Sequence, residues 1–450
     1  MSSTLTTTIG SYAAGTMFHH IPAAVVDRAK QVILDELACA HFGRRSIAGD
    51  LAARYATQLG GPQEARIYAT GSRVAAPNAA LANGAAGHGE EVDGAHVVGG
   101  HPGASIVHAA MAVAERQRSS GADLVTAVVL GYDIGTRVVQ ACGGLHHMKD
   151  RFGLNSDFLY ALGCAVASGR LIGLDATRHC HAMALSTFAS NALVAFYAEE
   201  RHISKSLTNG QIAAAGVNGA LMAAVGLEGH TDIVGAPYGV LHAWGADDGR
   251  DIVAAELGER YAIMGANFKF MNAGYPIHAP TEAVLTLIAE HGIKTADITS
   301  VDVGIPSHSM RVVDGRSMRN ICLQDMLSAV IVRGGIGLRE SPFPEVLSDP
   351  DFTRLQPLIN LRGHPDLDRD QPNGRGAIVT ITTADGAPVT RRVEHPKGHS
   401  GRGGASWPDL RAKWQEGLPE CDAARLCETA QRLDELDEAG ELLDVLRGRN

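Results

Sequence analysis

Three histidines and three carboxylates lie within one short glycine-rich stretch of this chain, residues 83–101. They are His88, Glu90, Glu91, Asp93, His96 and His101. Titratable groups this close together are costly to bury unless they meet a ligand, a metal ion or a proton in transfer. The six glycines of the stretch disfavour one regular helix, because each lowers helix stability by about 1 kcal/mol relative to Ala. The stretch therefore predicts an acid/base cluster on a loop.

A metal site is the alternative for the same stretch. His88, Glu91, His96 and His101 offer mixed nitrogen and oxygen ligands, but their spacing matches no standard metal-binding set. No G-x-G-x-x-G follows a predicted strand, and no G-x-S-x-G turn is present, so neither a nucleotide site nor an acyl-enzyme is indicated. We expect an enzyme that needs no metal and no cofactor.

Two lysines are further candidates. Lys205 precedes a helical segment, where it binds an anion or is simply a solvated charge. Lys269 lies between Phe268 and Phe270, and apolar surroundings favour the neutral, basic form of an amine. A lysine that only extends its charge to the surface is the plainer interpretation of Lys269.

The elements that must position these residues are mostly helical from Pro22 to about Gly265. Apolar residues recur with the helical period in the segments 22–43, 103–117, 122–141, 158–174 and 211–227. These segments are rich in Ala and Gly, which permits close packing of helices. They predict a large helical domain over residues 1–266.

The pattern changes after residue 267. Residues 298–307 and 376–395 alternate as strands do, and Asp-Gly at 385–386 predicts a hairpin turn. Helical pieces are expected around 320–333 and 343–360. Beyond a glycine-rich joint at 398–404 the helical pattern returns. We therefore expect a mainly α protein with an α+β domain: residues 267–400 form the smaller α+β lid, and 401–450 return to the helical domain.

Composition excludes several functional classes. The chain has 450 residues and a formal net charge of −10, which disfavours nucleic acid and anionic membranes as partners. Its seven cysteines form no C-x-x-C pair. The N-terminus resembles no secretory signal, and no apolar run is long enough to span a bilayer. We expect a cytoplasmic protein with a small-molecule substrate.

The segments ALANGAAGHGEEVDGAH, HPGASIVHAAMAVAE, KSLTNGQIAAAGVNGALMAAVGLEGHT and YPIHAPTEA together resemble the MmgE/PrpD family. That family includes 2-methylcitrate dehydratase, cis-aconitate decarboxylase and iminodisuccinate epimerase. The resemblance extends over almost the whole chain. It implies a helical domain built from both chain ends, an inserted lid and a homodimer. It also implies an active site in the cleft and a small di- or tricarboxylate as the substrate.

Several residues fall on positions of the family's motifs. Glu91 and Asp93 take the places of two family aspartates, His101-Pro102 is retained, and the family's two lysines are Lys205 and Lys269. We expect proton transfer to involve Lys269, His101, Glu91 and Asp93. We expect substrate contacts from Lys205, His278, His96, His88, Asp325 and Asn155.

Three family positions differ in this chain. A threonine is replaced by Ala95, a histidine by Leu154 and a tyrosine of the lid by Asp325. Dehydration needs an acid to protonate the leaving hydroxyl, whereas epimerisation needs only two groups on opposite faces of one carbon. Lys269 and His101 are such a pair. The replacements therefore favour a cofactor-independent epimerase or racemase of an iminodisuccinate-like amino- or imino-dicarboxylate.

Two alternatives remain open. The first is a lyase of the same family, either a 2-methylcitrate-type dehydratase or a cis-aconitate-type decarboxylase. The second is a homologue that retains the anion pocket and catalyses nothing.

Overall fold

A computed structural model describes residues 4–189, 193–199, 203–339, 345–369 and 374–447. The chain divides into two compact units. The helical unit comprises Met1–Ala266 and Ser406–Asn450, and the α+β unit comprises Asn267–Ala405. The predicted fold class, mainly α with an α+β domain, is confirmed.

The helical unit begins with a helix that the sequence did not predict, Leu5–Gly15, capped by the Thr4 side chain. The α-helices that follow are Ala23–Gly43, Ile47–Leu59, Ala76–Gly87, Pro102–Gln117, Gly121–Ala141, Gly144–Phe152, Tyr160–Ile172, Ala176–Ser186, Ile203–Ala224, Val240–Ala243, Arg250–Ala254, Trp407–Gly417, Ala423–Gln431 and Glu441–Leu446. A two-stranded ribbon pairs Ala65–Arg66 with Arg73–Val74. None of the helices in the described ranges is both long and apolar enough to cross a bilayer.

Small residues let the helices of this unit approach closely. A Cβ added to Gly210 would lie 2.1 Å from the carbonyl oxygen of Leu81, and one added to Gly84 would lie 3.0 Å from Cα of Gly210. The helices Ala76–Gly87 and Ile203–Ala224 therefore meet backbone to backbone. Gly84 and Gly87 had been expected to disfavour helix, but both are helical. Gly84 lies at this close contact, and a Cβ added to Gly87 would lie 2.6 Å from Nε2 of His108, so both positions require a residue without a side chain.

The expectation of nearly continuous helix up to Gly265 was wrong beyond residue 224. Residues 225–265 contain the short helices Val240–Ala243 and Arg250–Ala254, and turns make up most of the remainder. Glycine and proline are frequent there, as in GLEGHTDIVGAPYG, and both favour turns over helix.

The α+β unit is built on a four-stranded sheet. Ile298–Ile305 pairs in parallel with Ile359–Gly363 on one side and antiparallel with Ala377–Thr383 on the other, and Val389–Val393 extends the sheet beyond Ala377–Thr383. The hairpin predicted around Asp-Gly is present. The remaining α-helices of the unit are His278–His291, Ser307–Val313, Leu323–Arg333, Pro350–Leu355 and Pro365–Asp368.

The core of this unit lies between the sheet and its helices. Val301, Val303, Val379 and Ile381 of the sheet are fully buried and share a cluster with Leu327. Alternate residues of the inner strands therefore face the core, as a strand with one buried face requires. The helix predicted over 343–360 was wrong at its end, because the strand Ile359–Gly363 begins there.

Candidate active site

The acidic loop predicted from the sequence connects two helices of the helical unit. It leaves the helix Ala76–Gly87 at His88 and enters the helix Pro102–Gln117 after His101. Pro102 is the first residue of that helix, a position where its missing N–H costs nothing. Gly99 and Gly100, with φ of 100° and 78°, turn the chain just before it, a conformation that favours glycine.

Asp93 binds two histidines at the centre of the loop. Its Oδ2 atom lies 2.8 Å from Nδ1 of His88 and 2.8 Å from Nδ1 of His101. The two imidazole rings are 4.3 Å apart, centroid to centroid. The sequence had placed all three residues in the site, and the structure brings them into one cluster.

The hydrogen bonds of His101 define its proton positions. Besides Asp93, its Nδ1 has the carbonyl oxygen of Gly94 at 2.9 Å. Both neighbours are acceptors, so Nδ1 carries a hydrogen and Nε2 is the basic nitrogen of the neutral ring. The side chain of His101 is 16% exposed, against 1% for His88. His101 is therefore the member of the pair that a substrate can reach.

His88 is the buried partner of Asp93. Burial lowers its pKa to about 4, despite the opposing effect of Asp93, so the ring is neutral near pH 7. Its backbone carbonyl accepts a hydrogen bond of 2.7 Å from the hydroxyl of Ser206. A neutral, anchored His88 donates to Asp93 and keeps that carboxylate in place for His101.

Lys205 and Glu91 form an ion pair beside the histidines. Nζ of Lys205 lies 2.8 Å from Oε1 of Glu91, and the two side chains are only 13% and 7% exposed. Burial and the charge of Lys205 both lower the pKa of His88, and Lys205 opposes the rise that burial causes in the pKa of Asp157. The plainer interpretation of Lys205 as a solvated charge is therefore wrong, and its ammonium lies in the same cluster as the histidines.

The segment around Asp157 lies against the backbone just before His101. The carboxylate of Asp157 is buried, and its Oδ1 would lie 1.9 Å from a Cβ added to Gly100. Burial raises the pKa of Asp157, and the charge of His101 opposes that effect. The side-chain oxygen of Asn155 caps the short helical turn Ser156–Leu159. Asn155, expected to contact substrate, thus supports the turn that places Asp157 beside His101. Asp157 was missed, because one acidic residue before an apolar helix gives no clear signal.

A buried ion pair supports the loop from the C-terminal helices. Nζ of Lys413 lies 2.8 and 3.0 Å from the two carboxylate oxygens of Asp35 and donates to the carbonyl of Val92 at 3.1 Å. Glu36, the residue after Asp35, accepts a hydrogen bond of 3.1 Å from the backbone N–H of Gly94. Both contacts fix the backbone on either side of Asp93. Sequence reasoning did not single out any of these side chains.

His96 points away from this cluster. Its Nε2 lies 2.8 Å from the carbonyl oxygen of Ala262, its ring packs against Tyr132, and burial lowers its pKa to about 4. These contacts assign His96 a structural role.

The other predicted residues belong to the α+β unit. Lys269 is fully buried in a segment tied by the backbone bond from Phe268 to Gly398. His278 begins the helix His278–His291, with its Nε2 3.3 Å from the carbonyl oxygen of Ala273. Asp325 lies 3.0 Å from Arg319 and accepts from Gln356 at 2.5 Å, so its oxygens stabilise this unit.

One set of residues in the described part of the chain has the geometry to hold a metal ion. His88, Asp93 and His101 each offer a ligand atom, and these atoms lie within 4.8 Å of one another. Two of the four metal ligands considered from the sequence, His88 and His101, are in this set. Glu91 is engaged by Lys205, and His96 faces Ala262.

Two family models match most of this chain. The family model of the MmgE/PrpD N-terminal domain matches residues 7–251, and that of the MmgE/PrpD C-terminal domain matches residues 271–437. A cis-aconitate decarboxylase from Aspergillus terreus is 24% identical over an alignment of 423 positions that covers 88% of this chain and 86% of that protein.

Mammalian relatives extend over the whole chain. The cis-aconitate decarboxylase of Homo sapiens is 23% identical over 100% of this chain and 95% of its own length, and that of Mus musculus is 21% identical over 100% and 94%. Since the two family models together match most of the chain, this protein belongs to the MmgE/PrpD family.

Proposed function

We propose that this protein is a cofactor-independent lyase that acts on a small di- or tricarboxylate, with His101 carrying the proton. The observation that carries the proposal is the geometry of His101. Its Nδ1 is held between Asp93 and Gly94 at 2.8 and 2.9 Å, which leaves Nε2 as an oriented base or acid beside the ammonium of Lys205.

Lys205 supplies the electrostatic part of this chemistry. When charge develops on a carbon next to a carboxylate, a fixed cation at that carboxylate stabilises it. Lys205 is held in place by Glu91, so little reorganisation is needed when a substrate anion arrives. The substrate carboxylate then competes with Glu91 for the ammonium of Lys205.

The names of the relatives favour decarboxylation among the lyase reactions. In that reaction the bond to one carboxylate breaks, CO₂ leaves, and the electron pair stays on the carbon. Nε2 of the neutral His101 ring first takes up a proton from water, and the resulting imidazolium delivers that proton to the carbon, which returns the ring to its neutral form. One proton carrier is enough, and His101 is the exposed member of the histidine pair.

Epimerisation of an iminodisuccinate-like substrate is the second candidate. The buried side chains of Ala95 and Leu154 are apolar where the family resemblance would place an acid for dehydration. Epimerisation needs a second proton carrier besides His101, and we propose Lys269, the other residue that the sequence assigns to proton transfer.

The test is incubation of the enzyme in D₂O with candidate acids, followed by NMR. Released CO₂ with deuterium at the new C–H bond supports decarboxylation, new vinyl protons support dehydration, and a changed diastereomer ratio supports epimerisation. Saturable binding without exchange or turnover of any candidate acid contradicts both proposals and favours a non-catalytic anion-binding protein.

Two variants assign the roles. His101→Gln should lower the rate by about 10²–10⁴-fold, the usual contribution of a positioned acid or base. The matched control is His242→Gln, which alters an exposed histidine also paired with an aspartate, Asp247, at 3.1 Å. Lys269→Ala should abolish epimerisation but leave decarboxylation measurable. A near-normal rate in His101→Gln would remove His101 from the chemistry.

A further inference from the structure

A mostly apolar cavity of about 290 Å³, partly open to solvent, lies in the helical unit. Leu154, Phe158, Leu162, Val240 and Trp244 form much of its wall, and none of the described residues that line it is charged. Its size decides what it can hold, because an apolar cavity of about 150 Å³ is enough to bind benzene.

Aromatic packing makes this wall rigid. The ring of Trp244 lies 5.3 Å from those of Phe152 and Phe158, centroid to centroid, both in edge-to-face geometry. Tyr238, which also lines the cavity, has a φ of 64° and is 90% exposed. A non-glycine residue in the left-handed region is strained, and such strain is concentrated at binding and catalytic sites.

One segment borders both the cavity and His101. Leu154 and Phe158 line the cavity, and between them lies Asp157, whose Oδ1 would be 1.9 Å from a Cβ added to Gly100, the residue before His101. A ligand held at His101 therefore lies close to the segment that forms part of the cavity wall. The polar cluster fits carboxylates, whereas the cavity, lined mostly by apolar side chains, fits a hydrocarbon group.

We propose that the cavity binds the hydrocarbon part of the substrate, which is therefore a di- or tricarboxylate that carries an alkyl or aryl group. This inference rests on the proposed function, and it narrows the substrate class. A phenyl ring or an alkyl chain of about six carbons fits the volume, by comparison with the benzene-sized cavity. Unsubstituted small dicarboxylates leave the cavity without a ligand and bind more weakly.

The experiment measures the affinity of the full-length protein for succinate and for its methyl, butyl, hexyl and phenyl derivatives. Calorimetry gives the dissociation constants, and the fluorescence of Trp244, isolated by comparison with Trp244→Phe, reports entry into the cavity. Each added methylene should tighten binding by about three- to fourfold, as burial of apolar surface predicts, until the cavity is full.

Two matched variants test the location. Ala243 lines the cavity and ends the short helix Val240–Ala243, and its exposed position tolerates a larger side chain. Ala243→Phe should remove most of the gain with chain length while succinate binds as before. Ala254 is likewise exposed and ends the helix Arg250–Ala254. Ala254→Phe should change nothing.

The outcomes separate this inference from the proposed function. Equal affinity for all the succinates, or an equal gain in Ala243→Phe, overturns the assignment of the cavity. If the affinity does not depend on chain length and Ala243→Phe changes the mass of the assembly in solution, the cavity instead holds a side chain from a second copy of this chain. Chain-length-dependent binding that Ala243→Phe abolishes, without isotope exchange or turnover, supports the cavity and contradicts only the proposed reaction.

Discussion

The buried ion pair between Lys413 and Asp35 supports the catalytic loop, and Lys413→Met tests how much it contributes. Lys413 is fully buried with Asp35 and also donates to the carbonyl of Val92. Methionine keeps the length and the apolar stem of the side chain but removes the charge. The substitution leaves Asp35 with the indole N–H of Trp414, 2.9 Å away.

The expected cost follows from the burial of both partners. Removing one partner of a buried ion pair costs about 3–5 kcal/mol, because it leaves an uncompensated charge. Burial already raises the pKa of Asp35, and Lys413 opposes that effect. Without Lys413 the carboxyl group takes up a proton, which limits the loss to the lower end of that range. The Val92 carbonyl also loses the ammonium donor, at about 1 kcal/mol, and keeps the weaker thiol donor of Cys39 at 3.5 Å.

Urea denaturation followed by circular dichroism measures this loss. The control is Arg260→Met, because Arg260 forms an exposed pair with Glu256 four residues away, and such pairs contribute little. Asp35→Asn combined with Lys413→Met should recover part of the lost stability. If Lys413→Met costs less than about 1 kcal/mol, an ordinary value for any substitution, the pair does not support the loop as described.

Three further expectations follow from the helical unit. Burial lowers the pKa of His88, His96 and His108 to between about 3 and 4, so between pH 6.5 and 4 mainly the unfolded chain binds protons at these residues. The free energy of unfolding should therefore fall as the pH drops through this range, by about 3 kcal/mol for each histidine at pH 4. Denaturation at pH 7.5 and at pH 5 measures the fall. Lys205→Met should lower kcat/KM about tenfold or more, since a charge-assisted bond is worth about 1.5–3 kcal/mol and the lost cation also stabilises developing charge; an unchanged kcat/KM contradicts carboxylate binding there. Gly210→Ala should lower the melting temperature because its Cβ would lie 2.1 Å from the Leu81 carbonyl, whereas Gly15→Ala, with open space around it, should not.

The sequence predicted those parts of the fold that depend on local pattern. The helices Pro102–Gln117 and Gly121–Ala141 begin within one residue of the predicted segments, because the helical period is written in neighbouring residues. The strand Ile359–Gly363 was missed because its place is set by pairing with Ile298–Ile305, far away in the chain. The helical conformation of Gly84 was missed for the same reason, since it depends on contact with Gly210, which is also far away in the chain.

The residues of the candidate site that are close in sequence were predicted, and those that are distant in sequence were not. His88, Asp93 and His101 lie within fourteen residues of one another, and their density alone predicted the cluster. The supports come from elsewhere: Lys413 is 378 residues from Asp35. Such contacts arise only when helices pack, and a single lysine in a C-terminal helix gives no sign of its partner.

The number of proton carriers beside the substrate decides between the two proposed reactions. Asp93 serves two histidines through one oxygen atom, but burial keeps His88 neutral and out of reach, so His101 is the member of this pair that can carry a proton. With one carrier, a proton always enters from the same face of the carbon, and deuterium from D₂O is incorporated with a single configuration. Epimerisation requires delivery from both faces. If the deuterated carbon has mixed configuration in the wild type and a single configuration in Lys269→Ala, Lys269 is a second proton carrier. A single configuration in both proteins supports the lyase reaction instead.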